Sequence, residues 1–527
     1  MHFWCKHSAA EVRSNTHKGE KDGSALTLHA ARDMRVAGQV CLRHVEKPFT
    51  ITGVSLDMPA ACTDVTWTYR HVENVIYNDG VPYPDRLVIK DTVAVKMNVT
   101  HVIWVLFDVG ERAVPGCFDI PVTVHTDLGD FQATLTLQIF AVTLPGPADE
   151  GAFGHEYFMN TLDYFPKEGA MKRKPCEPFY ECNRYSPAWW ELMTAFARTL
   201  KYLRVNSLYI AVMTLLSDSG SKKLPDGGWH LDFTLLDKYV EHFFKHGAFK
   251  YIAICAIIGA VNGKTIQSLN EQGGIEWIEI GTSEAEAWAE AFYGGIYRHF
   301  EEKGWLDLLL MRLQDEPHSK DYWLWAREKC RRYMPGVICG EPIDTHAVGR
   351  ELAGACDQYI PRLEVYHAGM DFYNERREMG DEIWCYSCCF PQEPWWLNKF
   401  IDLPHRYSRL IKWGCFSQGI TGFLHWGFNH WGISLYGLHP DARFKGDGFI
   451  VYPDAERNDL GLSARAIATV DGIQEYELLK MLSRYDPEAA KAISQRVIRS
   501  FRDFDMNEDT VNDARREVLE GLAAYMA

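Results

Sequence analysis

Eight short strand-like runs alternate with helical segments between residues 150 and 440, and this alternation constrains the fold more than any other feature. One helical segment opens with Ser186-Pro187, a cap followed by proline at the first helical position. Another opens with the capping box Ser283-x-x-Glu286. Strands and helices in this order predict a (β/α)8, TIM-like barrel. The predicted strands are Phe153–Met159, Val205–Ala211, Tyr251–Ile257, Asp307–Leu313, Val337–Gly340, Asp357–Ile360, Glu382–Cys388 and Thr421–Trp426.

The chain before the barrel has a different pattern, in which turn signals separate short β runs and no helical stretch occurs. This pattern predicts a β-sandwich over residues 24–146, after a poorly ordered lead-in at residues 1–23. Leu144-Pro145-Gly146-Pro147 marks the boundary, because proline and glycine interrupt both kinds of element. After the barrel at residues 150–440, a β-rich and helical extension is predicted at residues 441–527. The β runs include Ala25–Leu28, Phe49–Ile51, Val102–Phe107, Pro121–His125 and Ala133–Phe140.

The composition argues against several classes of function. A formal charge of −16, without a long basic cluster, argues against a nucleic-acid partner. No apolar run reaches the length of a membrane span, and the first 23 residues contain no apolar signal-peptide region. The 14 cysteines are irregularly spaced, which is typical of free thiols in a reducing cytosol, so we expect a cytoplasmic location. No motif indicates a cofactor.

The most informative stretch is an apolar run of strand length that ends in Asp315-Glu316-Pro317. Proline cannot continue a central strand, and a helical pattern follows from Ser319. Two acids at the carboxyl end of a barrel strand occupy the position where such barrels carry their catalytic groups. The alternative is that both acids only cap the following helix, where negative charge is favourable.

Aromatic and polar side chains collect at the ends of the last two predicted strands. Trp384 and Tyr386 alternate along the seventh strand and therefore share a face. Rings that stack on sugar C–H faces and polar groups that bond hydroxyls suit a carbohydrate pocket. Taken one at a time, each aromatic residue is better explained by a place in the core, but as a set at strand ends they favour a ligand pocket. The candidate substrate-binding residues are Tyr386, Trp384, Trp426, His425, Asn429, Trp431 and Asn160.

Other motifs are weaker. Gly259-x-x-x-Gly263-Lys264-Thr265 follows a strand but is one residue short of a phosphate-binding loop, and no amphipathic helix follows it. Cys385-x-x-Cys388-Cys389 has no second ligand pair at zinc spacing, so buried thiols are favoured over a metal site. His425 and His430 do not form a zincin pattern. There is no G-x-S-x-G elbow.

In several motifs the chain resembles glycoside hydrolase family 123 and related proteins of the same domain plan. The resemblance implies a β-N-acetylgalactosaminidase that works by substrate-assisted retention on an oligosaccharide or glycoconjugate. Tyr386 is then expected to hold the acetamido oxygen through its hydroxyl. The motifs are Leu28-x-Ala30-Ala31-Arg32, Tyr83-Pro84-Asp85, Trp104-Val105, Asp315-Glu316-Pro317, Trp384-x-Tyr386, Gly446-Asp447-Gly448, Tyr452-Pro453 and Asp471-Gly472-Ile473-x-Glu475-Tyr476.

The adjacent acids also have a chemical logic of their own. Glu316 is expected to protonate the glycosidic oxygen, while Asp315 holds the N–H of a 2-acetamido group whose oxygen attacks the anomeric carbon. A conventional glycosidase instead uses two carboxylates on opposite sides of the bond. One alternative is therefore such an enzyme, acting on a sugar without the acetamido group and pairing Glu316 with Glu341, Glu364 or Glu393. The other is a carbohydrate-binding barrel without catalysis.

Overall fold

The computed structural model describes residues 1–162, 176–259, 263–318, 320–432, 438 and 443–526. The fold is mixed α/β, with a closed barrel of eight parallel strands and β-rich regions on either side of it in the chain. The predicted boundary between barrel and extension at 440/441, and residues 260–262 of the loop-like motif, lie outside the described residues.

Ten strands precede the barrel. Together with two strands from after the barrel, β23 (Val451–Asp454) and β24 (Asp459–Ser463), they form two sheets. The seven-stranded sheet has the order β1-β3-β8-β5-β6-β24-β23, and the five-stranded sheet has the order β2-β10-β9-β4-β7. Side chains of both sheets share one apolar core, to which β10 contributes its alternate residues Ala133, Leu135, Leu137 and Ile139. The strands are β1 His2–His7, β2 Ala25–Arg32, β3 Met34–Arg43, β4 Phe49–Leu56, β5 Val65–Ile76, β6 Pro82–Val88, β7 Val93–Val95, β8 Thr100–Val109, β9 Gly116–Thr126 and β10 Gly129–Thr143.

The first residues of the chain are ordered, and the prediction of a poorly ordered lead-in at 1–23 is wrong. Strand β1 pairs with β3 in antiparallel register, from His2 opposite Arg43 to His7 opposite Gly38. Trp4, in the middle of this strand, is completely buried. The strand escaped prediction because charged and polar residues surround a very short apolar centre, whereas pairing with β3 supplies the hydrogen bonds that stabilise an edge strand.

The barrel strands follow one another in chain order, and each pairs in parallel with the next. The last strand pairs with the first, which closes the barrel. All eight predicted strands are present. They are β11 Gly154–Tyr157, β12 Ser207–Ile210, β15 Tyr251–Ile254, β18 Leu309–Met311, β19 Ile338–Ile343, β20 Gln358–Pro361, β21 Glu382–Ser387 and β22 Gly422–His425.

Helices and small hairpins connect these strands. The 3-10 helix Leu306–Leu308 leads directly into β18. The helices are α1 Glu177–Tyr180, α2 Pro187–Tyr202, α3 Val212–Ser219, α4 Thr234–His246, α5 Ser283–Lys303, α6 Lys320–Tyr333, α7 His346–Glu351, α8 Leu363–Ala368, α9 Met370–Glu378 and α10 Arg406–Ser417. The hairpins are β13 Lys222–Lys223 with β14 Trp229–His230, and β16 Thr265–Leu269 with β17 Ile275–Glu279.

Two predicted helix starts can be compared with the structure. Ser186 caps α2 as predicted, because its side chain accepts a hydrogen bond from Trp189 N and Pro187 follows at the first helical position. The cap of α5 is Thr282, whose side chain accepts from Ala285 N, so the predicted capping role of Ser283 is wrong by one residue. Helix α6 begins at Lys320, and Ser319, its predicted start, lies outside the described residues.

The region after the barrel connects the two larger parts of the molecule. It contains β23 Val451–Asp454, a 3-10 helix at Ala455–Arg457, β24 Asp459–Ser463, α11 Ala464–Tyr485, α12 Pro487–Val497, β25 Ile498–Ser500, β26 Asp503–Phe504 and α13 Glu508–Met526. Strand β24 pairs with β6 and so extends the seven-stranded sheet. At the start of α11, Arg465 forms a buried ion pair with Asp85 at 3.0 Å. Among the described helices, none has the length and apolar character that a membrane crossing requires.

Buried charges also fix α11 against its neighbours. Glu475 of α11 accepts hydrogen bonds from Arg409 of α10, at 2.8 Å to Nε, and from Arg515 of α13. Arg515 bonds Asp471, one turn earlier on α11, at 2.7 Å. Because each buried charge meets an opposite charge, these helices are held to the outer wall of the barrel in one arrangement.

Candidate active site

The two adjacent acids lie at the rim of the barrel, just beyond the carboxyl end of β18. Gln314 still forms one parallel backbone bridge with Ile258, and the chain then leaves the barrel wall. Glu316 has a backbone φ of +48°, in the left-handed region that residues other than glycine rarely adopt. This turn interrupts the strand alternation that would send Asp315 and Glu316 to opposite faces. Both side chains are half-buried, and the strained backbone is of a kind that clusters at functional sites.

Asp315 lies in an environment that resists ionisation. Burial, followed by the nearby charges of Glu316 and Asp344, raises the pKa of Asp315 to about 7, while Arg312 opposes the rise. A carboxyl group poised near neutral pH is suited to chemistry that depends on its charge.

Glu316 has a specific partner on the seventh barrel strand. The hydroxyl of Tyr386 donates a hydrogen bond to Glu316 Oε1 at 2.5 Å. Burial, with the Glu316 charge as the next cause, raises the pKa of Tyr386 well above its usual value, so the phenol keeps its proton. In the structure this hydroxyl orients Glu316, and the predicted bond from Tyr386 to a substrate oxygen stays a prediction.

A third carboxylate, missed by the sequence analysis, joins the pair. Asp344 directly follows β19, and its charge contributes to the raised pKa of Asp315. Its Oδ1 is buried without a hydrogen-bond partner in the described structure, and its Oδ2 lies 3.8 Å from His318 Nδ1. An acid at a strand end would have indicated Asp344 as a site residue. It was overlooked because β19 was predicted to stop at Gly340, whereas the strand continues to Ile343.

Two of the three glutamates considered as partners of Glu316 have structural contacts, and the third, Glu393, is exposed. Glu341 is buried within β19 and accepts hydrogen bonds from the backbone N–H groups of Leu313 and Gln314, the latter at 3.2 Å. Burial raises the pKa of Glu341 to about 8. Glu364 forms an ion pair with Arg362. Glu341 therefore fixes the backbone that leads to the two acids.

Trp384, predicted as a pocket residue, lies inside the barrel at the amino ends of the strands. Its side chain is fully buried. A Cβ atom at Gly154 would lie 2.1 Å from Trp384 Cζ2, and one at Gly422 would lie 2.3 Å from Cε2. Only glycine leaves room for the ring at these two positions. The indole Nε1 donates to Glu382 Oε1 at 2.9 Å, a bond that holds the ring in the interior.

His425 is also structural, whereas Trp426 remains at the rim. The ring nitrogens of His425 face two backbone carbonyls, Ser387 O at 2.7 Å and Asp447 O at 3.0 Å. The ring is buried, and the substrate contact of His425 stays a prediction. Trp426 is half-buried, and its Nε1 donates to Asp447 Oδ2 at 2.8 Å. Its ring lies against His430, with centroids 4.7 Å apart.

Asn429 and Trp431, also predicted as substrate contacts, form hydrogen bonds within the protein. Asn429 is buried, accepts from Asn160 N at 2.7 Å and donates to Asn160 O at 3.0 Å. Trp431 is buried and donates to Val451 O at 2.7 Å. Asn160 itself is half-buried, after the end of β11, and its backbone is fixed by Asn429.

The cysteines near the site are thiols. Cys385 is buried in β21, and Cys388 and Cys389 are half-buried just beyond it. Within the described ranges, no group of three or more histidine, cysteine, aspartate or glutamate side chains is placed to hold a metal ion.

The chain can be compared with known proteins. The family model for the catalytic domain of glycoside hydrolase 123 matches residues 174–482, more than half of the chain. A family 123 glycoside hydrolase from Clostridium perfringens, solved in a study of glycolipid glycan hydrolysis, is 13% identical with a TM-score of 0.76. That alignment covers 99% of this chain and 98% of the other, and at this identity it shows a common fold.

Other solved structures are more distant. A β-glucuronidase from Parabacteroides merdae is 9% identical with a TM-score of 0.32, over 84% of this chain and 50% of that one. A β-glucuronidase from Bacteroides uniformis is 9% identical with a TM-score of 0.32, over 85% and 51%. Similarity at this level carries no functional argument. No curated protein sequence matches the chain.

Proposed function

The chain belongs to glycoside hydrolase family 123, and from this premise we propose that it is a retaining, exo-acting hydrolase of β-linked N-acetylhexosamine, with N-acetylgalactosamine as the preferred sugar. Its substrate is an oligosaccharide or glycoconjugate, a class supported by the glycolipid glycan hydrolysis studied in the Clostridium perfringens enzyme. The observation that carries the proposal is the pair Asp315 and Glu316 at the barrel rim, with the backbone turned at Glu316.

The proposed reaction begins with attack by the substrate itself. Asp315, ionised, accepts a hydrogen bond from the acetamido N–H, which increases the electron density on the acetamido oxygen. That oxygen attacks the anomeric carbon as Glu316 gives its proton to the glycosidic oxygen, so the C–O bond breaks and the aglycone leaves as an alcohol. Glu316 then takes a proton from the water that opens the cyclic oxazolinium intermediate. Two inversions return the β configuration.

The other contacts have supporting roles in this proposal. Tyr386 orients the Glu316 carboxylate through the 2.5 Å hydrogen bond. Trp426 and Asn160, both half-buried beyond the ends of β22 and β11, are proposed to contact the sugar. The reaction needs ionised Asp315, whose pKa is raised to about 7, and the N–H donor of bound substrate favours this ionised form.

The proposal includes the finer architecture predicted from the sequence. The sandwich at residues 24–146 precedes a (β/α)8 catalytic barrel at residues 150–440 and an extension at residues 441–527. It is supported by the shared apolar core of the two sheets and by the closed barrel.

The function is tested with two matched aryl glycosides. The enzyme should cleave 4-nitrophenyl N-acetyl-β-galactosaminide with a kcat/KM at least about 10²-fold above that for 4-nitrophenyl β-galactoside, because only the former carries the internal nucleophile. Proton NMR should show the β product first, and a thiazoline analogue of the intermediate should inhibit strongly. Equal activity on both glycosides, with indifference to the thiazoline, would favour the two-carboxylate alternative.

A further inference from the structure

Phe390 and Arg362 form a feature of the rim to which the proposed reaction gives no role. Phe390 lies three residues beyond β21 and is 43% exposed, an unusual position for a phenylalanine. The guanidinium carbon of Arg362 lies 5.0 Å from the centroid of the Phe390 ring. A cation over a ring face attracts it, so Arg362 holds this exposed ring in place.

Short contacts connect this pair to the candidate active site. Arg362 shares a parallel backbone bridge with Tyr386, whose hydroxyl bonds Glu316. Arg362 Nη2 donates to the backbone oxygen of Asp344 at 3.3 Å. The exposed ring is therefore one side chain away from the groups that surround Asp315 and Glu316.

The pair offers the contacts that a sugar ring needs. An aromatic face packs against the C–H face of a pyranose, and a planar guanidinium donates to hydroxyl groups at its edge. Two of the Arg362 nitrogens are occupied, Nε by Glu364 and Nη2 by Asp344. Nη1 makes no hydrogen bond to any side chain or backbone group of the described ranges, so it can donate to a ligand.

We propose that Phe390 and Arg362 bind the neutral sugar ring on the aglycone side of the scissile bond, next to the N-acetylhexosamine. This inference rests on the proposed function. It assumes that Asp315 and Glu316 act on the N-acetylhexosamine on one side of the cleaved bond, while Phe390 and Arg362 bind the sugar on the other side.

The charges near the pair favour a neutral ring over a uronic acid. Arg362 is already paired with Glu364, and Glu393 acts on Glu364 as a further nearby negative charge. Nη2 of Arg362 bonds the backbone oxygen of Asp344, and the charge of Asp344, with that of Glu316, acts on Asp315. A sugar carboxylate would enter a region where acids outnumber the one arginine, and like-charge juxtaposition at a binding site opposes association.

The test uses three substrates with the same N-acetylgalactosamine. In the first, the N-acetylgalactosamine is β-linked to galactose as the aglycone, and in the second it is β-linked to glucuronic acid. The third is the glycosyl fluoride, which has no aglycone ring. The wild type should prefer the galactose disaccharide over the glucuronic acid disaccharide by at least about tenfold in kcat/KM. Phe390→Ala should lower kcat/KM for the galactose disaccharide about tenfold, mostly by raising KM. The loss of kcat/KM for the fluoride should be at least about fivefold smaller.

Control variants separate binding from folding. Phe390→Tyr keeps the ring and should retain most of the disaccharide activity. Met379→Ala removes a still more exposed apolar side chain (65% exposed) near the other end of β21 and should change none of the three rates. Melting temperatures of all variants identify any loss of fold.

The outcomes distinguish the two proposals. Equal losses of Phe390→Ala on disaccharide and fluoride would overturn the subsite while leaving the proposed function intact. Equal or better cleavage of the glucuronic acid disaccharide by the wild type would overturn the preference for a neutral ring. A folded wild type that cleaves neither the fluoride nor either disaccharide would overturn the proposed function and this subsite with it.

Discussion

Two groups of polar side chains lie close together around the chain that follows β18, one inside the barrel and one at its rim. Their charges are arranged in opposite ways. Inside, Arg312 bonds Glu156 at 3.1 Å and Gln358 at 2.7 Å, and all three side chains are buried. At the rim, Asp315, only three residues later, is crowded by like charges.

The difference shows how the same residue types serve structure in one place and chemistry in another. A buried cation paired with an anion holds the barrel in one arrangement. Removing one partner lowers the stability, because the other charge is then buried without compensation. Crowded carboxylates instead cost stability in the folded state, and such an arrangement is retained where a function needs a perturbed pKa. Substitutions in the two groups should therefore have opposite consequences for folding and for rate.

The largest expected effect is at the rim. Glu316→Gln should lower kcat/KM by about 10²–10⁴-fold for alkyl glycosides, which need proton donation to the leaving group. The loss should be much smaller for 2,4-dinitrophenyl glycosides, whose leaving group needs little assistance, and the fold should keep its melting temperature. Glu328→Gln, at an exposed acid of α6, is the matched control. Equal losses on both substrates would show that Glu316 is not the general acid.

The second prediction concerns the interior pair. Arg312→Met should lower the free energy of unfolding by about 3–5 kcal/mol, because it leaves Glu156 charged, buried and unpaired. The double variant with Glu156→Gln should recover most of this stability, since neither charge then remains. Denaturant unfolding measures both variants. If Arg312→Met were as stable as the wild type, the interior ion pair would not be structural, and the contrast with the carboxylates at the rim would be lost.

The third prediction joins the rim to the seventh strand. Tyr386→Phe removes the hydroxyl that orients Glu316 while keeping the ring, and turnover should fall by about 10²-fold, as for the loss of one preorganised donor. Steady-state kinetics and thermal unfolding of the same preparation check it. If only the melting temperature changes, Tyr386 belongs to the fold alone.

The smallest expected effect is a change in pH dependence. Asp315 has a raised pKa of about 7, so kcat/KM should rise with pH as this group ionises. Asp344→Asn removes a like charge, which favours ionised Asp315 and should shift the acid limb of the profile to lower pH. In the folded state Asp315 binds more protons than in the unfolded state between about pH 4 and 7, so its contribution to stability falls as pH rises through that window.

That stability difference gives a second measurement on the same variant. Asp344→Asn should reduce the loss of stability between about pH 4 and 7, because it brings the pKa of Asp315 closer to the unfolded value. An acid limb that stays in place, or moves to higher pH, would contradict the role assigned to Asp344.

Much of the barrel could be predicted from the sequence, because each strand is a short apolar run between turn or helix signals. The limits of the strands were less accessible. Strand β19 extends beyond its predicted end through Glu341, an acidic residue whose burial depends on the amides of Leu313 and Gln314, just after the neighbouring strand β18. An edge strand such as β1 depends in the same way on a partner distant in the chain.

The location of Asp315 and Glu316 was predictable from the strand end, but the surrounding side chains were not. Trp384 and Tyr386 share a face, as alternation requires, yet one lies deep in the barrel and the other at the rim. Alternation gives the face of a strand and not the depth along the barrel axis. The side chain of Asn429 is used by the backbone of Asn160, a pairing that no local pattern records.

The pairing of β24 with β6 has a consequence for the order in which the molecule is made. Strand β6 ends at Val88, and its neighbour is not complete until Ser463 has been added. At a synthesis rate of 5–20 residues per second, the sheet waits about 20–75 s with an open edge. During that interval the exposed backbone of β6 is a site where another nascent chain can pair, so β24, which is made late, also protects the first sheet from association.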